Sequence, residues 1–127
     1  MAQYVDTNTR TFTADAAIAK YARVLFEADG RIVTAGLTDK EVGTAMTEAF
    51  AAGDKIEVKL RTAAGTHKMI AVEALAVGAT VYTEASGKVQ DTAQATSFLV
   101  GQSLTIAAAD GDIIEVLYNV HGDTAVV

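Results

Sequence analysis

The sequence predicts a mainly β protein, a small sandwich or barrel built from two similar tandem halves with a short N-terminal arm. Two observations carry most of that prediction. The chain repeats itself over much of its length, and β-branched or aromatic runs end in Gly-centred turns. A third is the strict alternation of apolar and charged residues near its middle, the period of a half-buried strand.

The repeat runs in two blocks. Ala22-Arg23-Val24-Leu25-Phe26-Glu27-Ala28-Asp29-Gly30-Arg31-Ile32 matches Ala79-Thr80-Val81-Tyr82-Thr83-Glu84-Ala85-Ser86-Gly87-Lys88-Val89. After one inserted residue, the stretch from Gly43 to Val58 matches Gly101 to Val116, each with an Ala-rich segment before Gly-Asp and a closing strand. Order and spacing are kept with a single gap, which Ala richness alone does not produce. The expected organisation is one β domain over residues 14–120, with repeats at about 17–61 and 74–118. An arm at 1–13 and a tail at 121–127 flank it.

Taken in order, the arm is Thr- and Asn-rich, with Tyr4, Val5 and Phe12 as isolated apolar residues. Val24–Phe26 and Val81–Thr83 read as strands. Each leads into a turn, Asp29-Gly30 or Ser86-Gly87, where Gly supplies a positive φ at little cost. Thr38 to Phe50 is ambiguous: Thr38 and Glu41 have capping-box spacing, and Val42, Ala45, Met46, Ala49 and Phe50 have helical spacing. The matching segment Phe98 to Ile106 alternates instead, so both are assigned to strand. Ile56, Val58 and Leu60 alternate with Glu57, Lys59 and Arg61, a strand with one wet face. Its counterpart, Ile113 to Tyr118, is apolar on both faces apart from Glu115 and is expected to be the more central strand. Thr66 to Val72 reads as a further strand between the copies. The core is expected to be thin and rich in Ala, with Phe26, Tyr82 and Tyr118 as anchors.

Composition excludes several classes. The chain has 127 residues and no Cys, so disulfides, thiol nucleophiles and thiolate zinc sites are out. A net charge of -6 without a basic patch argues against nucleic-acid binding. The most apolar stretch, Met69 to Tyr82, contains Glu73 and is too short to span a bilayer. The first twenty residues carry no basic-then-apolar signal pattern, so export by that route is not expected.

The search for chemistry is thin. His67 and His121 are the imidazoles, without ligand-spaced neighbours. Glu27 and Glu84, Asp54 and Asp112, and Glu57 and Glu115 are duplicated pairs. Acid–base chemistry needs carboxylates in different environments, and duplication predicts similar ones. There is no Gly-x-Ser-x-Gly elbow and no phosphate-cradling glycine loop. Lys88 follows Gly87 at a hairpin, a carrier-domain feature, but Arg31 at the matching position points to a basic residue that opens a strand. No enzyme activity, cofactor or metal is expected.

One resemblance does emerge. Ala76-Val77-Gly78-Ala79-Thr80-Val81-Tyr82, then Gly87-Lys88-Val89, Val100-Gly101, and Ala107-Ala108-Ala109-Asp110-Gly111-Asp112-Ile113-Ile114-Glu115-Val116 are similar to the capsid cement, or head-decoration, proteins of tailed bacteriophages. The first copy resembles that pattern more loosely, with Lys20 and Tyr21 where a small turn is expected. The likeness covers roughly residues 12 to 118.

The resemblance implies a structural virion protein, made in the host cytoplasm, that binds the outer surface of an assembled capsid and stabilises capsomer junctions. Its implied partner is the major capsid protein, with self-association as a dimer or trimer, and without nucleic acid or membrane. The family fixes no contact motif; Tyr4, Val5, Arg10 and Phe12 of the arm are the candidate capsid-binding residues. The competing readings are a stand-alone β-barrel ligand-binding or carrier module, and another phage head or tail component.

Overall fold

The computed structural model describes residues 8–118 and 125–126. The fold is all-β, with ten strands and one short 3₁₀ turn at Ala85–Gly87 among those residues. The strands are β1 (Thr9–Thr13), β2 (Arg23–Phe26), β3 (Ile32–Thr34), β4 (Gly43–Ala45), β5 (Lys55–Leu60), β6 (His67–Ile70), β7 (Thr80–Thr83), β8 (Val89–Gln90), β9 (Leu99–Ser103) and β10 (Ile113–Tyr118). They form two five-stranded antiparallel sheets of the same topology, β1-β5-β4-β2-β3 and β6-β10-β9-β7-β8. The first sheet comes wholly from the N-terminal half and the second from the C-terminal half.

Each sheet curls back on itself. A parallel bridge joins Ala14 to Ile32 in the first and Ala71 to Val89 in the second, bringing the last strand of each order to the end of the first. Each curl encloses its own apolar cluster. Phe12, Ile18, Val24, Ile32, Ile56 and Val58 fill one, and Met69, Leu75, Val81, Val89, Val100 and Ile114 the other. Both are padded with Ala, so a thin core of small side chains is what the fold contains. Fully burying one of these Ile or Leu side chains is worth about 1.5–3 kcal/mol.

The duplication is closer in space than in sequence. Ile18 bridges Ala49 as Leu75 bridges Ala107. Asp54 accepts from the amides of Phe50 and Ala51 at 2.8 and 3.2 Å, and Asp112 from those of Ala108 and Ala109 at 2.7 and 3.2 Å. Tyr21, at the loose point of the first copy, takes the left-handed conformation of its counterpart Gly78, with φ of 70° against 85°. Its amide donates to Ala45 at 2.7 Å, as Gly78 does to Ser103. Gly43 and Gly101 are required for a separate reason. A Cβ on either would collide with the backbone carbonyl of the neighbouring strand, at Lys59 and Leu117 respectively.

Several expectations need correction. Residues 9–13 are not part of a free arm: β1 pairs along its whole length with β5, in register Thr9↔Lys59 to Thr13↔Lys55. β6 is the matching edge strand of the second half, so the repeats begin earlier than residues 17 and 74. The segment from Thr38 to Phe50 is non-helical, as assigned, but only Gly43–Ala45 of it is strand. β10 is no more central than β5, since both lie second in their sheets. Its extra apolar residues, Ile113 and Leu117, face outward at 45% and 47% exposure. Phe26 is 47% exposed and is no core anchor, while Tyr118 packs against the second cluster. Part of the tail is tied down: Val126 and the segment around Ser97 exchange backbone hydrogen bonds of 2.7 and 2.8 Å.

Candidate functional site

The most elaborate polar arrangement lies where the two halves meet. Arg23, fully buried on β2, donates from Nη1 to Glu41 Oε1 at 3.0 Å. Its remaining N–H groups reach backbone oxygens of both halves: Gly36 and Asp39 at 3.1 and 3.3 Å, and Glu84 and Lys88 at 2.6 and 3.0 Å. The second Glu41 oxygen accepts from Tyr118 Oη at 3.0 Å. A planar fork with five donors can serve several carbonyls at once, which suits Arg and no other side chain. Thr83 Oγ1 donates to Leu37 O at 2.6 Å, and the Gly87 amide to Ala35 O at 2.8 Å. The hairpin Thr83–Lys88 thus acts as a tongue pressed into a groove of the N-terminal half. A Cβ on Gly87 would meet Ala22 and Thr34 of that groove.

His67 sits beside this junction, buried and edge-on to the Tyr118 ring at 4.6 Å between centroids. Its Nε2 is 2.9 Å from Leu60 O, so the Nε2–H tautomer donates there, and Nδ1 is left without a partner. Burial lowers its pKa, with a smaller contribution from Lys59 against the opposing pull of the Leu60 hydrogen bond. Tyr118 is pushed well above its ordinary range by burial and then by the neighbouring Glu41 charge. These groups are held neutral inside the protein and serve the junction. The sequence reading had placed no weight on Arg23, Glu41 or the His67–Tyr118 contact.

Two of the three duplicated carboxylate pairs, Asp54 with Asp112 and Glu57 with Glu115, keep the same contacts in both copies, and Glu27 and Glu84 do not. Glu57 accepts from Thr11 Oγ1 at 2.6 Å and Glu115 from Thr66 Oγ1 at 2.5 Å, both exposed. Glu84 accepts from the Ala85 amide at 2.7 Å. Glu27 lies with Asp15 and Asp29 in a solvent-exposed acidic group, and its pKa is raised, first by a hydrogen bond with Asp15. Lys88 reaches Asp110 at 2.7 Å and offers its carbonyl to Arg23, a structural place for the residue considered as a carrier lysine.

Of the four candidate capsid-binding residues, Tyr4 and Val5 lie outside the described residues. Arg10 and Phe12 fall on β1. Phe12 is only 7% exposed, packs edge-on against Phe26 at 5.2 Å and is covered by the Arg10 guanidinium at 4.9 Å. Its ring fastens β1 to the core.

The surfaces of the two halves differ sharply in chemistry. Ile113, Leu117, Ile106 and Val77 are all exposed. The matching residues of the first copy are Lys55, Lys59, Glu48 and Lys20. At these four positions the first half carries charge and the second hydrocarbon, while Phe26 and Phe50 of the first half are exposed at 47% and 79%. Beside Leu117, the outer face of the second sheet has a groove of about 430 Å³ lined by Thr80, Leu99, Gly101, Gln102, Leu117 and Tyr118.

Among the described residues, no helix is long and apolar enough to cross a membrane. No protein-family model matches the chain, and no curated protein sequence matches it. A solved structure does. The N-terminal base of the head fibre protein gp8.5 of bacteriophage phi29 is similar at a TM-score of 0.71 and 18% identity, over 87% of this chain and 92% of that one. The two share a fold.

Proposed function

We propose that this protein is a non-enzymatic structural component of a tailed-phage head, attached to the outer surface of the assembled capsid as a cement, or decoration, subunit. The observation that carries the reading is the fold likeness to a phage head fibre base, which extends over nearly all of both chains. Three further features support it. Buried ionisable groups join the halves, Glu57 and Glu115 make the same threonine hydrogen bond in the two copies, and at four matched positions one half displays apolar side chains where its twin displays charge.

The partner on this reading is the major capsid protein. Binding to the assembled shell alone stabilises that state by about 2.7 kcal/mol per site at about a hundredfold excess over Kd. Many such sites together oppose the outward pressure of packaged DNA. Contact is made by the segment around Tyr4 and Val5, which leads out of β1 next to Arg10, adding a strand to a capsid sheet edge. Nucleic acid and membrane have no part in it.

A second reading, that the protein is the base of a longer head appendage, is favoured by what the phi29 protein is. Co-sedimentation with assembled heads, compared with unassembled capsid subunits, tests attachment. Heating the heads with and without the protein separates the readings. A cement raises the temperature of DNA release, and an appendage base leaves it unchanged.

A further inference from the structure

The groove on the second half is the counterpart of the groove that grips the tongue in the first. Thr80, Leu99, Gly101, Gln102, Leu117 and Tyr118 match Arg23, Glu41, Gly43, Thr44, Lys59 and Leu60 in the repeat. In the N-terminal half that face is covered: Arg23, Glu41 and Thr44 are buried, Arg23 bonded to Glu84 and Lys88 of the tongue and Glu41 to Tyr118. In the C-terminal half Thr80, Gln102 and Leu117 are exposed.

The tongue has a free counterpart as well. Residues Phe26–Arg31 of the first copy match Thr83–Lys88 of the second. Gly30 shares the positive φ of Gly87, 85° against 73°, although Ser86 before Gly87 is also left-handed and Asp29 is not; nothing lies within 4 Å of where the Gly30 Cβ would be. Phe26 stands where the second copy has Thr83, which is fully buried. So each chain has one tongue seated in one groove, plus a spare tongue at one end and a spare groove at the other.

We propose that the spare groove receives the Phe26–Arg31 hairpin of a second copy of this chain, so that copies join head to tail through the contact that already joins the two halves. The known interface thereby continues from chain to chain. The new contact is more apolar than the internal one. Leu99 and Thr80 replace the Glu41–Arg23 pair, and Phe26 supplies an aromatic ring to the tongue. Residues 9–60 carry seven Lys and Arg against eight Asp and Glu, and residues 67–118 two against six, so unlike halves repel less than two second halves would. A head-to-tail contact of this kind builds a closed ring when its rotation closes. The chain's own Ala125 and Val126 pair with Ser97 and Phe98 at the rim of the same sheet, which makes the tail the competing occupant.

Within the chain, residues 84 and 23 face each other across the junction, the carbonyl of Glu84 2.6 Å from Arg23 Nη2. Residues 27 and 80 then face each other between copies, and both are exposed. The chain has no native Cys, so Glu27→Cys and Thr80→Cys proteins can be mixed and treated with a short bismaleimide. The mixture is expected to shift to two-chain mass on a denaturing gel, while neither parent alone does so. Equal product from either parent alone, no product in the mixture, or a Thr80→Cys thiol that a monofunctional maleimide cannot reach because the tail covers it, would each overturn the proposal. No capsid is present in this test, so its outcome is independent of attachment to a shell.

Discussion

Arg23 and Glu41 form a buried ion pair at 3.0 Å, and the same guanidinium reaches the carbonyls of Glu84 and Lys88 in the other half of the chain. One side chain therefore couples the two β units. Removing it leaves a carboxylate and several carbonyls without their donor in a dry junction. Arg23→Met is expected to cost about 3–5 kcal/mol, whereas Arg23→Met with Glu41→Leu costs less than the single change. Urea unfolding midpoints of the two variants check this.

Gly43 and Gly101 separate two roles of glycine. Each lies where its neighbouring strand comes too close for a Cβ, whereas Gly53 and Gly111 have a positive φ and open space around them. Gly43→Ala and Gly101→Ala must push strands apart and are expected to destabilise by clearly more than Gly53→Ala or Gly111→Ala. The latter two cost about 1–2 kcal/mol for a left-handed non-Gly residue. Thermal unfolding of the four variants measures the contrast.

His67 makes stability depend on pH. Burial lowers its folded pKa below the ordinary 6.5, so the unfolded chain binds the proton more readily. Stability from keeping it neutral is complete above pH 6.5 and is lost as pH falls below that value. His67→Gln, whose amide can still donate to Leu60 O, is expected to flatten the fall in stability between pH 7 and pH 5 relative to the parent. Parallel denaturation curves across that range would show it.

The N-terminal segment and β1 are separable. Deleting residues 2–7 is expected to abolish shell binding and leave the melting temperature unchanged, because β1 keeps its pairing with β5. Phe12→Ala, in contrast, is expected to cost about 3–5 kcal/mol as a cavity in the first core. Co-sedimentation and thermal melts on the same proteins distinguish the two effects.

The repeat made much of this fold legible. Val24–Phe26, Ile56–Leu60 and their partners followed from β-branched residues and alternation, and the matching of copies turned the ambiguous Thr38–Phe50 away from helix. β1 escaped because Phe12 is its one large apolar anchor, and Thr9–Thr13 otherwise reads as polar linker. The junction escaped for a different reason. Arg23 sits in a strand where a charge signals a wet face, and Glu41 in what resembled a capping box. Their burial comes from a partner half that is distant in sequence. Ile113 and Leu117 pointed to a more central strand because an apolar residue on the second face of a strand does not itself tell whether that face is covered.

The claim that this duplicated β body exists to hold on to a capsid is tested most directly by cryo-electron microscopy of mature heads incubated with the purified protein. The account predicts added density on the outer surface, at the same capsomer positions on every head and fitted by this fold. Heads that remain bare at saturating protein would contradict it.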